Sequence, residues 1–231
     1  MKIISFANSK FKRIALNWAE HLKLLNISDY VVYSLDDICH DFLTSHRVNT
    51  QRCVSSALED NKFDFRTRLE IIFELLNSGQ DILHSDLDAL WLKDPSELVA
   101  GDYDIVASTG TFPPAIYQKI GFTLCKGWMY YKSNTAVKDI FKRVNRRPIH
   151  LRHDQELFNK VLFDTDLQYK ISDIDSNIKE VQFNEFKIKV LDQELISRDK
   201  PRCNNTYVCH PLSPTSIDRE RFLKEENLWV V

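Results

Sequence analysis

Two carboxylates stand in a setting that suits metal-phosphate chemistry. Asp86 and Asp88, separated by Leu87, follow the apolar run that opens "DILHSDLDALWLKDP", residues 81–95. On an extended backbone, side chains at i and i+2 point to the same side. The pair can then converge on one divalent cation, or on a cation and a ribose hydroxyl. Without a cation the two repel each other, and burying them costs free energy. A hard metal ion carrying a phosphate-bearing ligand would neutralise them. Ligands of open α/β sheets bind outside the carboxyl ends of strands, which is where the apolar run leaves this pair. A lone Asp-x-Asp is common in loops, so its meaning depends on the elements around it.

Hydrophobic spacing supplies those elements. "KIISFA" reads as a strand, and Phe11, Ile14, Ala15, Trp18, Leu22 and Leu25 then recur at helical intervals, with Asn8 or Ser9 as N-cap. "YVVYSL", residues 30–35, is a second buried strand, whereas residues 36–62 are polar and weakly periodic and predict a long connection with one short helix. Leu69, Ile72, Phe73 and Leu76 make one helical face, Gly79 sits where a left-handed stop is wanted, and "DILHSD" is the next strand. "YDIVAST" (103–109) and "GFTLCKGWMYYKS" (121–133) are further strands, separated by a segment holding Pro113 and Pro114. Trp128, Tyr130 and Tyr131 alternate on the second of these, which predicts one face in the core and the other open to stack on a ligand. Ser133 or Asn134 caps a helix with Val137, Ile140, Phe141 and Val144 on its apolar face, and Leu157, Phe158, Val161 and Leu162 mark another. "FKIKVL" and "TYVCHP" are short strands, and "SIDRERFLKEENLW" is a closing helix. Strands alternating with helices, with no linker, repeat or low-complexity segment, predict a single domain over residues 1–231. Its fold class is α/β, a Rossmann-like α/β/α sandwich around a mainly parallel central sheet.

Composition narrows the function classes. The chain has 231 residues, 43% hydrophobic, and a formal net charge of -2, so it can bury a sizeable core and has no global basic field for nucleic acid. Its cysteines, Cys39, Cys53, Cys125, Cys203 and Cys209, are odd in number, widely spaced and without a CxxC pair, which predicts free thiols. "MKIISFANSKFKRIALNW" has no signal-peptide core, and no run is long enough to span a membrane, so the expectation is a soluble cytoplasmic protein. Lys10, Lys12 and Arg13 beside an apolar helix face leave peripheral membrane association open, although that face is needed to cover the sheet.

Taken together, "LLNSGQDILHSDLDALWLKDP", "GFTLCKGWMYYKSN" and "HDQELFN" occur in an order that resembles the nucleotide-diphospho-sugar transferase family, glycosyltransferases with the GT-A fold and a DxD motif. The match is good over roughly residues 60–165 and loose at the ends. The resemblance implies Asp88 as a direct ligand of Mn2+ or Mg2+, Asp86 holding the ribose and the metal, and His210 of "YVCHPLSP" as a third metal ligand. It implies that Asp154 and Gln155 face the anomeric carbon and the acceptor, and that Gly127 lets the backbone approach the donor sugar. Arg68 resembles a family cation that contacts the donor, and Ser108, opening "STGTFPPAIYQKIGF", is a further donor contact on a loop over the site. The sequence departs from the family in having Cys125 and Lys126 before Gly127 and no basic residue directly after His210. Arg198, Lys200 and Arg202 are candidates for the diphosphate.

The residues also admit plainer readings. Asp154 could be an N-cap, Arg68 could pair with Asp64 on its own helix, and His210 could be an ordinary buried or surface histidine. The implied reaction moves a sugar from a nucleotide diphosphate donor, UDP-linked, to a hydroxyl of a glycan or glycolipid acceptor, as in polysaccharide biosynthesis. Retention follows if the departing diphosphate takes the acceptor proton; inversion follows if Asp154 is a general base on the opposite face. A metal-dependent phosphohydrolase or nucleotidyltransferase, and a sugar-nucleotide binding module without turnover, are the competing functions.

Overall fold

The structure is a computed structural model, and it describes residues 1–53, 65–146, 154–164, 167–199, 204–211 and 215–231. Within these residues the chain forms two units. The first begins with β1 (Lys2–Ala7), α1 (Lys12–Leu24), β2 (Tyr30–Ser34), α2 (Asp37–Ser45) and β3 (Thr50–Arg52). β1 pairs β2 in parallel, Ile3 opposite Tyr30, and β2 pairs β3 in parallel, Val32 opposite Thr50. Ile14, Trp18 and Leu22 on the apolar stripe of α1 are almost wholly buried, so that face belongs to the core.

Two details differ from the expected pattern here. Neither Asn8 nor Ser9 caps α1: the helix starts after Phe11, and the Asn8 carbonyl and side chain instead close a turn by accepting from the N–H groups of Phe11 and Lys10. The polar connection also contains β3, which periodicity did not reveal because only three residues pair and two of them are exposed. The rest of that connection, from residue 54, lies outside the described residues.

The same unit also holds β5 (Leu90–Trp91), β11 (Ile196–Ser197), β12 (Val208–Cys209) and α7 (Ser216–Glu225). They are tied in by hydrogen bonds that hydrophobic patterning does not show. β12 pairs β5 antiparallel and β11 in parallel, which brings the end of the chain to the residues just after the acidic motif. Past α7, the Leu228 carbonyl accepts from Asn17 Nδ2 at 3.0 Å and lies 2.9 Å from His21 Nε2, while the Val230 N–H donates to Asn17 Oδ1 at 2.7 Å. Asn17 and His21, on α1, thereby anchor the closing segment.

The second unit holds α3 (Phe65–Asn77), β4 (Ile82–Ser85, continuing into the first unit after His84), β6 (Ile105–Gly110), α4 (Pro114–Ile120), β7 (Thr123–Tyr131), α5 (Thr135–Asn145), α6 (Asp154–Phe163), β8 (Tyr169–Asp173), β9 (Ile178–Phe183) and β10 (Lys187–Leu191). β6 runs parallel to β10 and antiparallel to β7, and β8, β9 and β10 form an antiparallel margin. The class is therefore the mixed α/β one predicted, with the parallel pairs supplemented by this margin. β8 and β9 escaped the sequence reading because most of their residues are exposed or half-buried and lack a clean alternation. Gly79 takes φ of 89°, the left-handed value expected after α3, and Asn134 caps α5 by accepting from the Val137 N–H. The Pro-Pro segment is a short helix, α4, with Pro114 in its first turn, where a missing N–H costs nothing. Trp128, Tyr130 and Tyr131 are all buried, so β7 has no open aromatic face. Tyr131, Phe141 and Phe158 pack edge to face at ring separations of 5.2 to 5.9 Å, locking α5 and α6 onto β7. The described cysteines, Cys39, Cys53, Cys125 and Cys209, are free thiols; Cys203 lies outside the described residues.

Ser85 joins sequence pattern to site geometry. Its hydroxyl accepts from Trp91 Nε1 at 3.1 Å and Trp18 Nε1 at 3.3 Å, and it lies 3.2 and 3.4 Å from the carbonyls of Asp86 and Ala89, to one of which it donates. Both indoles are buried. Ser85→Ala leaves two buried N–H groups without a partner and is expected to destabilise the protein by about 2–4 kcal/mol. Urea unfolding followed by tryptophan fluorescence, with an unchanged m-value, is the measurement.

Candidate active site

Asp86 and Asp88 lie past the end of the strand, on a turn. β4 stops at Ser85, and the Ala89 N–H donates to the Asp86 carbonyl at 3.0 Å, closing a tight turn over Asp86, Leu87, Asp88 and Ala89. Leu87 and Ala89 are buried beneath the turn, and β5 begins at Leu90. The convergence of carboxylates expected from a strand is thus achieved by a turn. Asp86 keeps a third of its side chain exposed, while Asp88 keeps 6%.

His210 reaches this turn through the small sheet. It follows β12, and its N–H donates to the Ser197 carbonyl at 2.7 Å. His210 Nε2 stands 3.5 Å from Asp88 Oδ1 and 3.7 Å from Asp86 Oδ2. Potential ligand atoms of Asp86, Asp88 and His210 all lie within 4.8 Å of one another. Arg198 Nη1 lies 2.8 Å from His210 Nδ1. Arg219, on α7, brings Nε to 2.6 Å from Asp88 Oδ2. Neither of those atoms forms an aligned hydrogen bond, so this contact is electrostatic. Burial pushes the Asp88 carboxyl up, but the His210 ring and Arg219 outweigh it and hold the group below its ordinary range. Lys200 and Arg202 lie outside the described residues, as does Asp64, the proposed helix partner of Arg68.

A second polar cluster lies in the other unit. Across the β6–β7 pair, Ala107 is opposite Met129 but Ser108 is opposite Cys125, so Lys126, Gly127 and Trp128 form a bulge on β7. Side chains satisfy the displaced backbone. The Lys126 N–H donates to Gln155 Oε1 at 3.1 Å, and its carbonyl accepts from His84 Nδ1 at 2.8 Å. Asn159 bonds Leu124 twice at 2.8 Å, accepting from its N–H and donating to its carbonyl. Gln155 Nε2 also donates to the Phe112 carbonyl at 2.8 Å. Asp154 is buried, with Arg68 Nη2 at 2.6 Å and Lys126 Nζ at 3.3 Å from its Oδ2. The Lys126 ammonium lies 5.1, 5.9 and 6.0 Å from the ring centroids of Phe158, Phe141 and Tyr131. Of the predicted residues, then, Asp86, Asp88 and His210 meet in one cluster. Arg68, Asp154 and Gln155 meet in the other around the bulge that carries Gly127, and Ser108 is buried at that bulge's β6 side.

The sequence profile of nucleotide-diphospho-sugar transferases matches residues 25–217. The chain belongs to that family. Two solved structures share the fold of this nucleotide-diphospho-sugar transferase. One is the galactosyltransferase LgtC in complex with donor and acceptor sugar analogues, at TM-score 0.59 and 13% identity over 100% of this chain and 97% of the other. The second is an active-site mutant of LgtC, at TM-score 0.58 and 14% identity over the same shares. No curated protein matches the chain in sequence. The transferase is thus a GT-A glycosyltransferase with a nucleotide-sugar donor.

The donor types in the turn cluster suit a divalent cation. Two carboxylates and an imidazole nitrogen are ligands that Mn2+ accepts, and the oxygens suit Mg2+. Sequence reasoning missed Ser85, His84, Asn159 and Arg219 of this transferase. For Asn159 the signal was present in the spacing Asp154, Gln155, Asn159; for Arg219 the linear sequence offers only one basic residue among several on a polar helix.

Asp154 generates the prediction here. Burial would raise its carboxyl, yet Arg68 and Lys126 bring it down from 3.8 to about 2. A depressed carboxyl contributes stability that is complete above its unfolded pKa and is lost as pH falls through the folded one. Asp154 is therefore expected to contribute about 2 kcal/mol above pH ~4, declining toward pH ~2. Asp154→Asn removes that contribution and leaves two buried cations, costing about 3–5 kcal/mol at neutral pH. Unfolding free energies between acid and neutral pH should show a shallower slope in the variant over the acid window.

Proposed function

We propose that this glycosyltransferase moves a sugar from a UDP-linked donor to a hydroxyl of a glycan or glycolipid, with a divalent cation, Mn2+ or Mg2+, and with retention at the anomeric carbon. The observation that carries the proposal is the convergence of Asp86, Asp88 and His210. Asp88 and His210 would hold the cation, and Asp86, the more exposed carboxylate, would reach both cation and ribose. Bound there, the cation supplies Lewis-acid stabilisation of the charge that develops on the leaving diphosphate. The protein residues bind and orient the rest of the donor. Gln155, half-buried and bonded to the backbone at Lys126, is the group proposed to touch the transferred sugar, with Gly127 on the bulge it braces and Arg68 holding Asp154 in the same cluster.

The state of Asp154 supports retention over inversion. A buried carboxylate held at about 2 by two cations is a poor proton acceptor at neutral pH. The acceptor hydroxyl oxygen then bonds to the anomeric carbon as the bond to the diphosphate oxygen breaks, and the hydroxyl proton passes to that departing oxygen. The single domain over residues 1–231 and a cytoplasmic place in polysaccharide biosynthesis, free or at the membrane surface, belong to the same proposal; no helix among the described residues is long and apolar enough to cross a membrane.

Calorimetric titration of UDP and of GDP, in Mn2+ or in EDTA, tests the donor class. UDP should bind only with metal, and Asp88→Asn should weaken that binding at least tenfold, as expected for the loss of a ligand charge. Binding of neither nucleotide with metal, or equal binding in EDTA, overturns metal dependence. The anomeric configuration of the product, read by NMR once donor and acceptor are found, decides retention, and an inverted product rejects it.

A further inference from the structure

Among the described residues, Arg219 is the cationic group in closest contact with the acidic turn, and nothing in the assignment of the metal ligands accounts for it. Its Nε stands 2.6 Å from Asp88 Oδ2, closer than the 3.5 Å between His210 Nε2 and Asp88 Oδ1. The guanidinium also lies 5.4 Å from the Phe11 ring centroid, which gives it a second attractive surface within the same unit. Three features make this contact exchangeable. It lacks an aligned hydrogen bond, although both atoms are buried. The arginine side chain is 26% exposed against 6% for Asp88, so part of it already meets solvent. It is carried by α7, whose own start is fixed independently, Thr215 accepting from the Asp218 N–H. The helix can therefore stay in place while the long side chain changes rotamer.

We infer that Arg219 serves as the internal counter-cation of Asp88 and is displaced from it when a divalent cation binds, turning its guanidinium onto the diphosphate of the donor. The inference rests on the metal-dependent reading above. A divalent cation bound at Asp86 and Asp88 would repel a guanidinium held 2.6 Å from Asp88, which favours release of the arginine. A guanidinium fork matches the oxygens of a diphosphate, which restores to Arg219 the anionic partner it gives up. Metal and nucleotide diphosphate then help each other: the metal frees the arginine, and the diphosphate keeps it away from Asp88.

The test separates two affinities that a simple supporting role would move together. Binding of Mn2+ alone is measured by the fall of the free-ion electron paramagnetic resonance signal, and UDP binding at saturating Mn2+ by calorimetry. In the wild type, UDP should tighten Mn2+ binding about tenfold or more. Arg219→Gln should tighten Mn2+ binding in the absence of nucleotide, and weaken UDP binding at saturating Mn2+, each about tenfold, with the coupling between them reduced toward none. Arg219→Lys keeps the charge and loses the fork, so its Mn2+ affinity should stay near wild type while UDP binding falls. If Arg219→Gln leaves both affinities unchanged, or lowers both, the inference is overturned while the proposed function stands. If the wild type binds neither Mn2+ nor UDP with Mn2+, the proposed function falls, and the inference with it. Thermal melts confirm folding of each variant, and an unfolded glutamine variant leaves the decision to the lysine one, in which unaltered UDP binding overturns the inference.

Discussion

Two carboxylates on one four-residue turn repel each other, and the surrounding unit is arranged to contain that repulsion. The turn is closed by its own backbone, pinned from below by the Ser85 hydroxyl and approached by His210 and Arg219, with Arg198 against the far side of the His210 ring. Each of these arrives through a different structural device. β12 carries His210 by pairing with β5, the residue after β11 supplies Arg198, and α7 carries Arg219. Because β5 begins two residues after Asp88, the strand that receives the end of the chain is part of the same turn assembly. Loss of this pairing would separate His210 from both aspartates without altering any of the three residues.

Hydrophobic periodicity reveals elements in proportion to their burial. β1, β2, β4, β7 and the buried faces of α1, α5 and α6 were legible because apolar residues recur there at the periods of strand or helix. β3, β8 and β9 were not, because their stability derives from backbone pairing while their side chains stay largely in water. The acidic pair was legible, but the backbone beneath it was not: one hydrogen bond from Ala89 decides between turn and strand, and no side-chain pattern reports it. Arg219 could not be singled out because its role depends on where α7 lies against the turn, a tertiary fact.

The second cluster shows a different solution to a polar problem. A bulge in β7 removes ladder partners from backbone groups in the interior, where unpaired N–H and C=O groups are costly. Side chains replace them: Gln155 from α6 and His84 from β4 bond the backbone of Lys126, and Asn159 bonds that of Leu124, which lies beside the bulge opposite Thr109. The Asp-Gln-x-x-x-Asn spacing thus has a structural content of its own. Asp154 meets the ammonium of the bulged lysine, Gln155 its amide, and Asn159, one helical turn after Gln155, the residue two places earlier in the strand.

That arrangement has a mechanical consequence for α6. A helix packed only by apolar side chains can slide along a sheet by small steps, trading one contact for another of similar depth. α6 has Gln155 and Asn159 keyed to particular backbone groups, so displacement by even part of a helical turn would strand buried donors and acceptors together. Its motion is therefore all-or-none: it behaves as a latch with one seated position, and the residues at its first turn inherit that fixed placement.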